Sequence, residues 1–147
     1  MISGVGMWFN KFLKRLSLSL MLSVSAGTFA DVQVDNAWVR LLPPMSKMTA
    51  AYMNLKSDQD DRLLAASSEL ARYVEIHQSK MLDGMMSMQE VDALSLPKDQ
   101  TVELKPQSYH LMVMGLYAPL KEGDEHIFIL EFEKAGKLEV KIPVRNP

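Results

Sequence analysis

The stretch YVEIHQSKMLDGMMSMQEV, Tyr73 to Val91, reads as two strands joined by a two-residue turn. Asp83-Gly84 is a strong hairpin signal, because a type I′ turn needs positive φ at both central positions. With these two residues as the turn, Leu82 faces Met85, and counting outward pairs Met81 with Met86, Ser79 with Met88 and His77 with Glu90. Alternate side chains leave a strand on opposite faces, so His77, Ser79, Met81, Met86, Met88 and Glu90 share one face, while Val74 and Ile76 turn to the core. A slip of one residue would separate His77 from Met88.

Outward from this hairpin, β-rich or alternating runs recur with turn signals between them, the pattern of a small all-β sandwich or barrel. Strands are expected at Val32 to Leu41, Thr49 to Lys56, Leu63 to Ser67, Tyr73 to Met81, Met85 to Val91, Thr101 to Leu104, Tyr109 to Val113, His126 to Phe132 and Lys137 to Val144. The last is the clearest, with Leu138, Val140, Ile142 and Val144 on one face and Lys137, Glu139 and Lys141 on the other. Loose helical periodicity in Leu63, Leu64, Ala66 and Leu70 makes a helix over Leu63 to Arg72 the competitor to a strand there. No internal repeat or low-complexity tract divides the chain.

A second stretch, SYHLMVMG (Ser108 to Gly115), puts His110, Met112 and Met114 on one strand face and Leu111 and Val113 on the other. In the hairpin, His77 and Met88 are diagonal neighbours with Cα atoms roughly 7 to 8 Å apart, within reach of one ion. Two strand-borne sets, His77 with Met88 and His110 with Met112, can therefore converge. Imidazole with thioether selects a soft ion, and Cu(I) is the natural candidate, since Ca²⁺ and Mg²⁺ want oxygen and zinc favours thiolate, imidazole and carboxylate.

Each of these residues also has a plainer reading. A single His in a strand is usually exposed or hydrogen-bonded, which is the expectation for His126. Methionines mostly fill gaps in cores, the expectation for Met48 and Met53. Met81, Met85, Met86 and Met114 either pack or form a soft rim around the site. The acidic residues are spread as a solvated surface has them and form no catalytic pair.

The first thirty residues have the features of a cleavable signal: Lys11, Lys14 and Arg15 precede an apolar run, Leu16 to Ala26, and Thr28 and Ala30 supply small residues before a cut after Ala30. The run is shorter than the ~20 residues a membrane span takes. The domain is then Asp31 to Pro147, and losing those three cations leaves 13 basic against 18 acidic residues, a formal charge of −5. Such a balance disfavours nucleic acid, and membrane insertion of the mature chain is not expected. The 147 residues contain no cysteine, which excludes a thiol-disulfide enzyme, a thiolate zinc site, a blue-copper centre and a lipid anchor on cysteine. Methionine is abundant instead, nine of the 12 lying beyond the signal.

The spacing of His77, ten residues, Met88, twenty-one residues, then His110-x-Met112 resembles the pattern of the periplasmic copper chaperones of the PCu(A)C family. AWVR (Ala37 to Arg40), KMTAAYM (Lys47 to Met53), DGMMSM (Asp83 to Met88), VELKPQSYHLMVMGL (Val102 to Leu116) and PLKEGD (Pro119 to Asp124) are similar to family segments too, so the likeness spans nearly all of the mature chain. It implies a cupredoxin-like Greek-key β-barrel or sandwich that is no enzyme and carries one Cu(I) on His77, Met88, His110 and Met112. It further implies delivery to the copper site of cytochrome c oxidase, with subunit II as acceptor and Sco-type thiol proteins as companions. Gln78 stands where some members have a second Met, and no His/Met-rich tail follows Val144, so a single site is expected. Two other readings remain open: a copper buffer or tolerance protein, and a metal-free interaction module with a Met-rich face.

Overall fold

The structure, a computed structural model, describes residues 29–147; the expected signal up to Thr28 lies outside the described residues. Among the described residues the regular structure is all strand: β1 (Val32–Arg40), β2 (Met48–Ser57), β3 (Asp61–Ser68), β4 (Ala71–Leu82), β5 (Met85–Glu90), β6 (Leu94–Leu96), β7 (Thr101–Leu104), β8 (Tyr109–Leu116), β9 (Glu125–Phe132) and β10 (Gly136–Arg145). The segment for which a helix competed is strand β3, held by β9 on one side and β6 on the other. β6 was not expected, because three residues, Leu94 to Leu96, are too few to show alternation.

The strands run in the order β5-β4-β8-β2-β1-β10-β9-β3-β6, with β7 also pairing with β2. β1 and β10 meet in parallel over only two residue pairs, Val39 with Val144 and Arg40 with Arg145. This short seam joins two sheets, β5-β4-β8-β2-β1 and β10-β9-β3-β6, whose inner faces share one core. The path ends at β5 and β6 without closing, so the fold takes the sandwich form of the expected cupredoxin-like class. β8 lies between β4 and β2, the crossing of a Greek-key arrangement.

Alternation decides which side chains enter the core. Ala51, Met53 and Leu55 on β2, Ile76 on β4 and Leu111 and Val113 on β8 meet Leu63, Phe128, Leu130, Ile142 and Val144 from the opposite sheet. Burying one such aliphatic side chain stabilises the fold by roughly 1.5 to 3 kcal/mol. It also turns the even-numbered residues of β2 and β8 and the odd-numbered residues of β4 to the outer face of the first sheet.

The Asp83-Gly84 turn has φ of 51° and 77°, the pair of positive values that type I′ demands. The register it sets is the expected one, with His77 opposite Glu90, Ser79 opposite Met88, Met81 opposite Met86 and Leu82 opposite Met85. Gly115 is constrained differently: φ is 73°, and a Cβ there would stand 2.9 Å from the Cβ of Arg72. Only glycine fits where β8 passes the start of β4.

Candidate metal centre

The outer face of the first sheet gathers the four residues singled out by the sequence. β4 and β8 are antiparallel neighbours with His77 directly opposite His110, and their ring centroids are 5.9 Å apart. Met112 follows His110 two residues along the same face of β8, and Met88 reaches the face from β5 as the diagonal neighbour of His77. Met88, His110 and Met112, with Ser79, Trp38, Arg40, Ala50, Tyr52, Pro106 and Gln107, line a cleft of about 380 Å³.

The two imidazoles are held so that each keeps one nitrogen free of protein partners or aimed away from its anchor. In His110, Nδ1 lies 3.0 Å from the carbonyl oxygen of Ser108. A carbonyl only accepts, so Nδ1 carries the proton and Nε2 the lone pair. In His77, Nε2 lies 2.9 Å from Glu75 Oε2; a carboxylate likewise only accepts, so in the neutral ring Nε2 carries the proton and donates it to the hydrogen bond. Nδ1 of His77 then bears the lone pair, and it is buried with no hydrogen-bond partner. An orphaned buried acceptor is costly unless something fills its place.

Local sequence builds both anchors. Lys105 to Ser108 form a turn closed by the Ser108 N–H donating to the Lys105 carbonyl, with Pro106 in the second position and Gln107 at φ 67° in the third. That is the type II pattern, in which proline pre-sets the first corner and the second is left-handed. The turn presents the Ser108 carbonyl to His110 and also to the N–H of Ser79, which stitches the start of β8 to β4. Glu75 reaches His77 because residues two apart in a strand share a face. The sequence reading passed over Glu75; its signal was the Glu-x-His spacing within a strand.

Behind the imidazoles stands an aromatic wall, with Trp38 and Tyr52 4.7 Å apart and Tyr52 6.3 Å from His110. Trp38 joins it because β1 bulges at Asn36, φ 50°, where its register with β2 shifts. The wall leaves His110 only 4% exposed, whereas Met88 on the outermost strand is 47% exposed. Burial pushes the pKa of His110 below the ordinary value, the nearby His77 adding to the effect and the Ser108 carbonyl opposing it. His110 is thus kept neutral, the form in which a metal can use it.

Other candidates fall away. Among the described residues no three His, Asp or Glu side chains come together as a metal site. His126 lies on β9 in the other sheet, half-buried, with Nε2 buried and unpartnered. Met53 fills the core as expected, but Met48 is on the outer face opposite Met114. Met81, Met85 and Met86 are exposed and so do not pack in the core; Met81 and Met86 lie on the site's face of the hairpin and Met85 on the other, while Met114 is half-buried opposite Met48. A cleft of about 430 Å³ in the second sheet is lined by Asp60, Asp61, Arg62 and Glu133, yet Arg62 is paired with Glu133 and Asp61 accepts from the N–H groups of Lys134 and Ala135.

The LpqE-like family model matches residues 32–144, nearly the whole described domain. The chain belongs to this family, which is of the PCu(A)C type. A Leifsonia xyli subsp. xyli protein described as a lipoprotein, Lxx21020, is 33% identical to this LpqE-like chain over 124 residues, 82% of this chain and 74% of the relative. Cu(I)-DR1885 from Deinococcus radiodurans is 34% identical, with a TM-score of 0.63 over 77% of this chain and 76% of that one. The copper-bound PCuAC domain from PmoF2 shares the fold with a TM-score of 0.67, covering 81% and 96% of the two chains at 23% identity. The lipoprotein description meets a departure in these 147 residues, which hold no cysteine for a lipid to attach to. No described helix is long and apolar enough to cross a membrane.

Proposed function

We propose that this LpqE-like protein is an exported carrier of Cu(I), held by His77, Met88, His110 and Met112, and not an enzyme. The observation that carries the reading is the buried, unpartnered Nδ1 of His77 beside His110, whose own proton is fixed on the far nitrogen, with two thioethers on the same face. Neutral nitrogen and sulfur donors suit a soft monovalent ion and bring no charge that a harder divalent ion would require. The Cu(I)-loaded state of the relative DR1885 supports Cu(I) as the ion.

The protein acts in the periplasm, reached through the signal at residues 1–30, and carries a single tightly held ion. Its acceptor is the copper site of cytochrome c oxidase subunit II, with Sco-type thiol proteins as companions in the transfer. Transfer proceeds by ligand exchange: an acceptor's donors replace the ligands one at a time while copper stays Cu(I).

The test is a Cu(I) competition titration of residues 31–147 under reducing conditions against a chromophoric chelator, beside the Met88→Ala, His110→Ala variant. One-to-one binding by the parent that the variant loses is the expected result. Equal, weak binding by both overturns the assignment. Delivery is tested separately: the loaded protein metallates an oxidase copper domain faster than free copper at equal availability, where a buffer slows it.

A further inference from the structure

The hairpin tip beyond the site carries thioethers that the four-ligand centre does not use. Met81 and Met86 are directly opposite each other at the end of β4 and β5, and both are exposed, 64% and 49%. The Val91 N–H donates to the Ile76 carbonyl, which makes Ile76 and Val91 a hydrogen-bonded pair. Alternation along the ladder then makes His77/Glu90, Ser79/Met88 and Met81/Met86 the closer, non-hydrogen-bonded pairs, with Cα atoms about 4.5 Å apart. Two thioethers so placed reach a common ion from opposite strands. Met88 stands on the same face, two residues or roughly 6.8 Å from Met86 along the strand.

We propose that Met81 and Met86 form a second, weaker site for a soft monovalent cation, a station through which Cu(I) enters and leaves the main centre. This rests on the reading of the main centre as a Cu(I) site. Met88 is the shared ligand. As the ion moves outward, its bonds to His77, His110 and Met112 break, bonds to the sulfurs of Met81 and Met86 form, and the bond to Met88 is kept. No electron moves, and the ion is never released to solvent. The tip site is weaker than the main one because it lacks imidazole and lies open to water.

The apolar character of the tip supports a role of this kind. Met81, Leu82, Met85 and Met86 are all exposed on a two-stranded projection, where a surface without function carries polar residues. Leu82 and Met85 sit on the opposite face of the hairpin, so the tip is not a site of four sulfurs.

The experiment is an Ag(I) titration of the metal-free protein, with silver as the redox-inert probe, followed by NMR of the methionine methyl groups labelled with ¹³C. Met45, 89% exposed and outside the strands, serves as the internal control for unspecific binding. The expected result has two stages: the first equivalent shifts Met88 and Met112, and the second shifts Met81 and Met86 before Met45 moves. The Met81→Leu, Met86→Leu variant, near in volume and without sulfur, keeps the first stage, loses the second and passes Cu(I) to a chelator more slowly. If the first stage is normal and Met81 and Met86 move only with Met45, the tip station is overturned while the main centre stands. A second stage at Met48 and Met114 overturns it as well, by placing the overflow at the other end of the face. If all exposed methionines move together from the first equivalent, the main centre itself is wrong.

Discussion

Replacing Glu75 by alanine tests whether the carboxylate organises the metal centre. Glu75 Oε2 accepts from Nε2 of His77 at 2.9 Å, and in the neutral ring this contact leaves the lone pair on Nδ1, the unpartnered nitrogen. Without it the proton is free to move to Nδ1, where it blocks the metal, and the ring is free to turn. Losing such an outer partner of a metal-bound His typically weakens metal affinity by about 10- to 100-fold. The Glu75 side chain is 34% exposed, so water compensates part of the loss and the lower end applies, about tenfold or ~1.4 kcal/mol. Glu75→Gln keeps an acceptor at the same place and recovers most of the affinity. The assay is the Cu(I) competition titration, joined to a long-range ¹⁵N–¹H correlation that reads the tautomer of His77 in the metal-free protein. Unchanged affinity in Glu75→Ala with a mixed tautomer refutes the link between proton placement and binding; a Glu75→Gln variant as weak as alanine refutes the role of the hydrogen bond.

Three further outcomes follow from the same coordinates. Burial holds the pKa of His110 in the folded protein below the ~6.5 of an unfolded chain, so the unfolded state binds more protons between the two values. The metal-free protein therefore loses stability as pH falls through 6.5 and stops losing it below the folded pKa, a dependence that urea melts at several pH values detect and that His110→Asn flattens. Gly115→Ala combines φ of 73° with a 2.9 Å approach to Arg72 Cβ, and is expected to cost about 1 to 3 kcal/mol in chemical denaturation, with no change in the metal ligands. Peroxide treatment converts exposed Met88 to a polar sulfoxide and weakens Cu(I) binding, and saturating the protein with Cu(I) first protects that residue from oxidation as read by mass spectrometry.

Local chemistry made half of the centre legible and topology hid the rest. Asp83-Gly84 announces its own turn type, so the pairing of Ser79 with Met88 could be counted off the sequence. The neighbouring pair, His77 with His110, links strands 33 positions apart in the chain, and no local signal says that β8 lies against β4. The common face of His110 and Met112 was legible from alternation, but not which sheet face it joins. The turn of Pro106 and Gln107 is locally encoded, yet its consequence, a carbonyl that fixes the His110 proton, exists only once β8 returns along β4. Glu75 was overlooked for a different reason: two residues from His77 it resembles an ordinary surface acid, and only the buried Nδ1 on the far side of the ring gives the pair a meaning.

The four residues differ most in how they are held, and this bears on what the centre can do. His110 comes from β8, flanked by β4 and β2, and is buried against Tyr52; it can move only if the middle of the sheet moves. Met88 comes from β5, which ends the sheet and has β4 as its one partner. Edge elements with few partners open at lower free energy than central ones. A resident cofactor is best served by ligands that are all central and buried, since each exposed ligand is a route for loss. Here exposure increases from His110 through His77 to Met88, so an incoming donor meets first the residue on the strand whose movement disturbs the sandwich least. Such a gradient gives up part of the attainable affinity for rapid exchange, the compromise a carrier requires and a storage site does not.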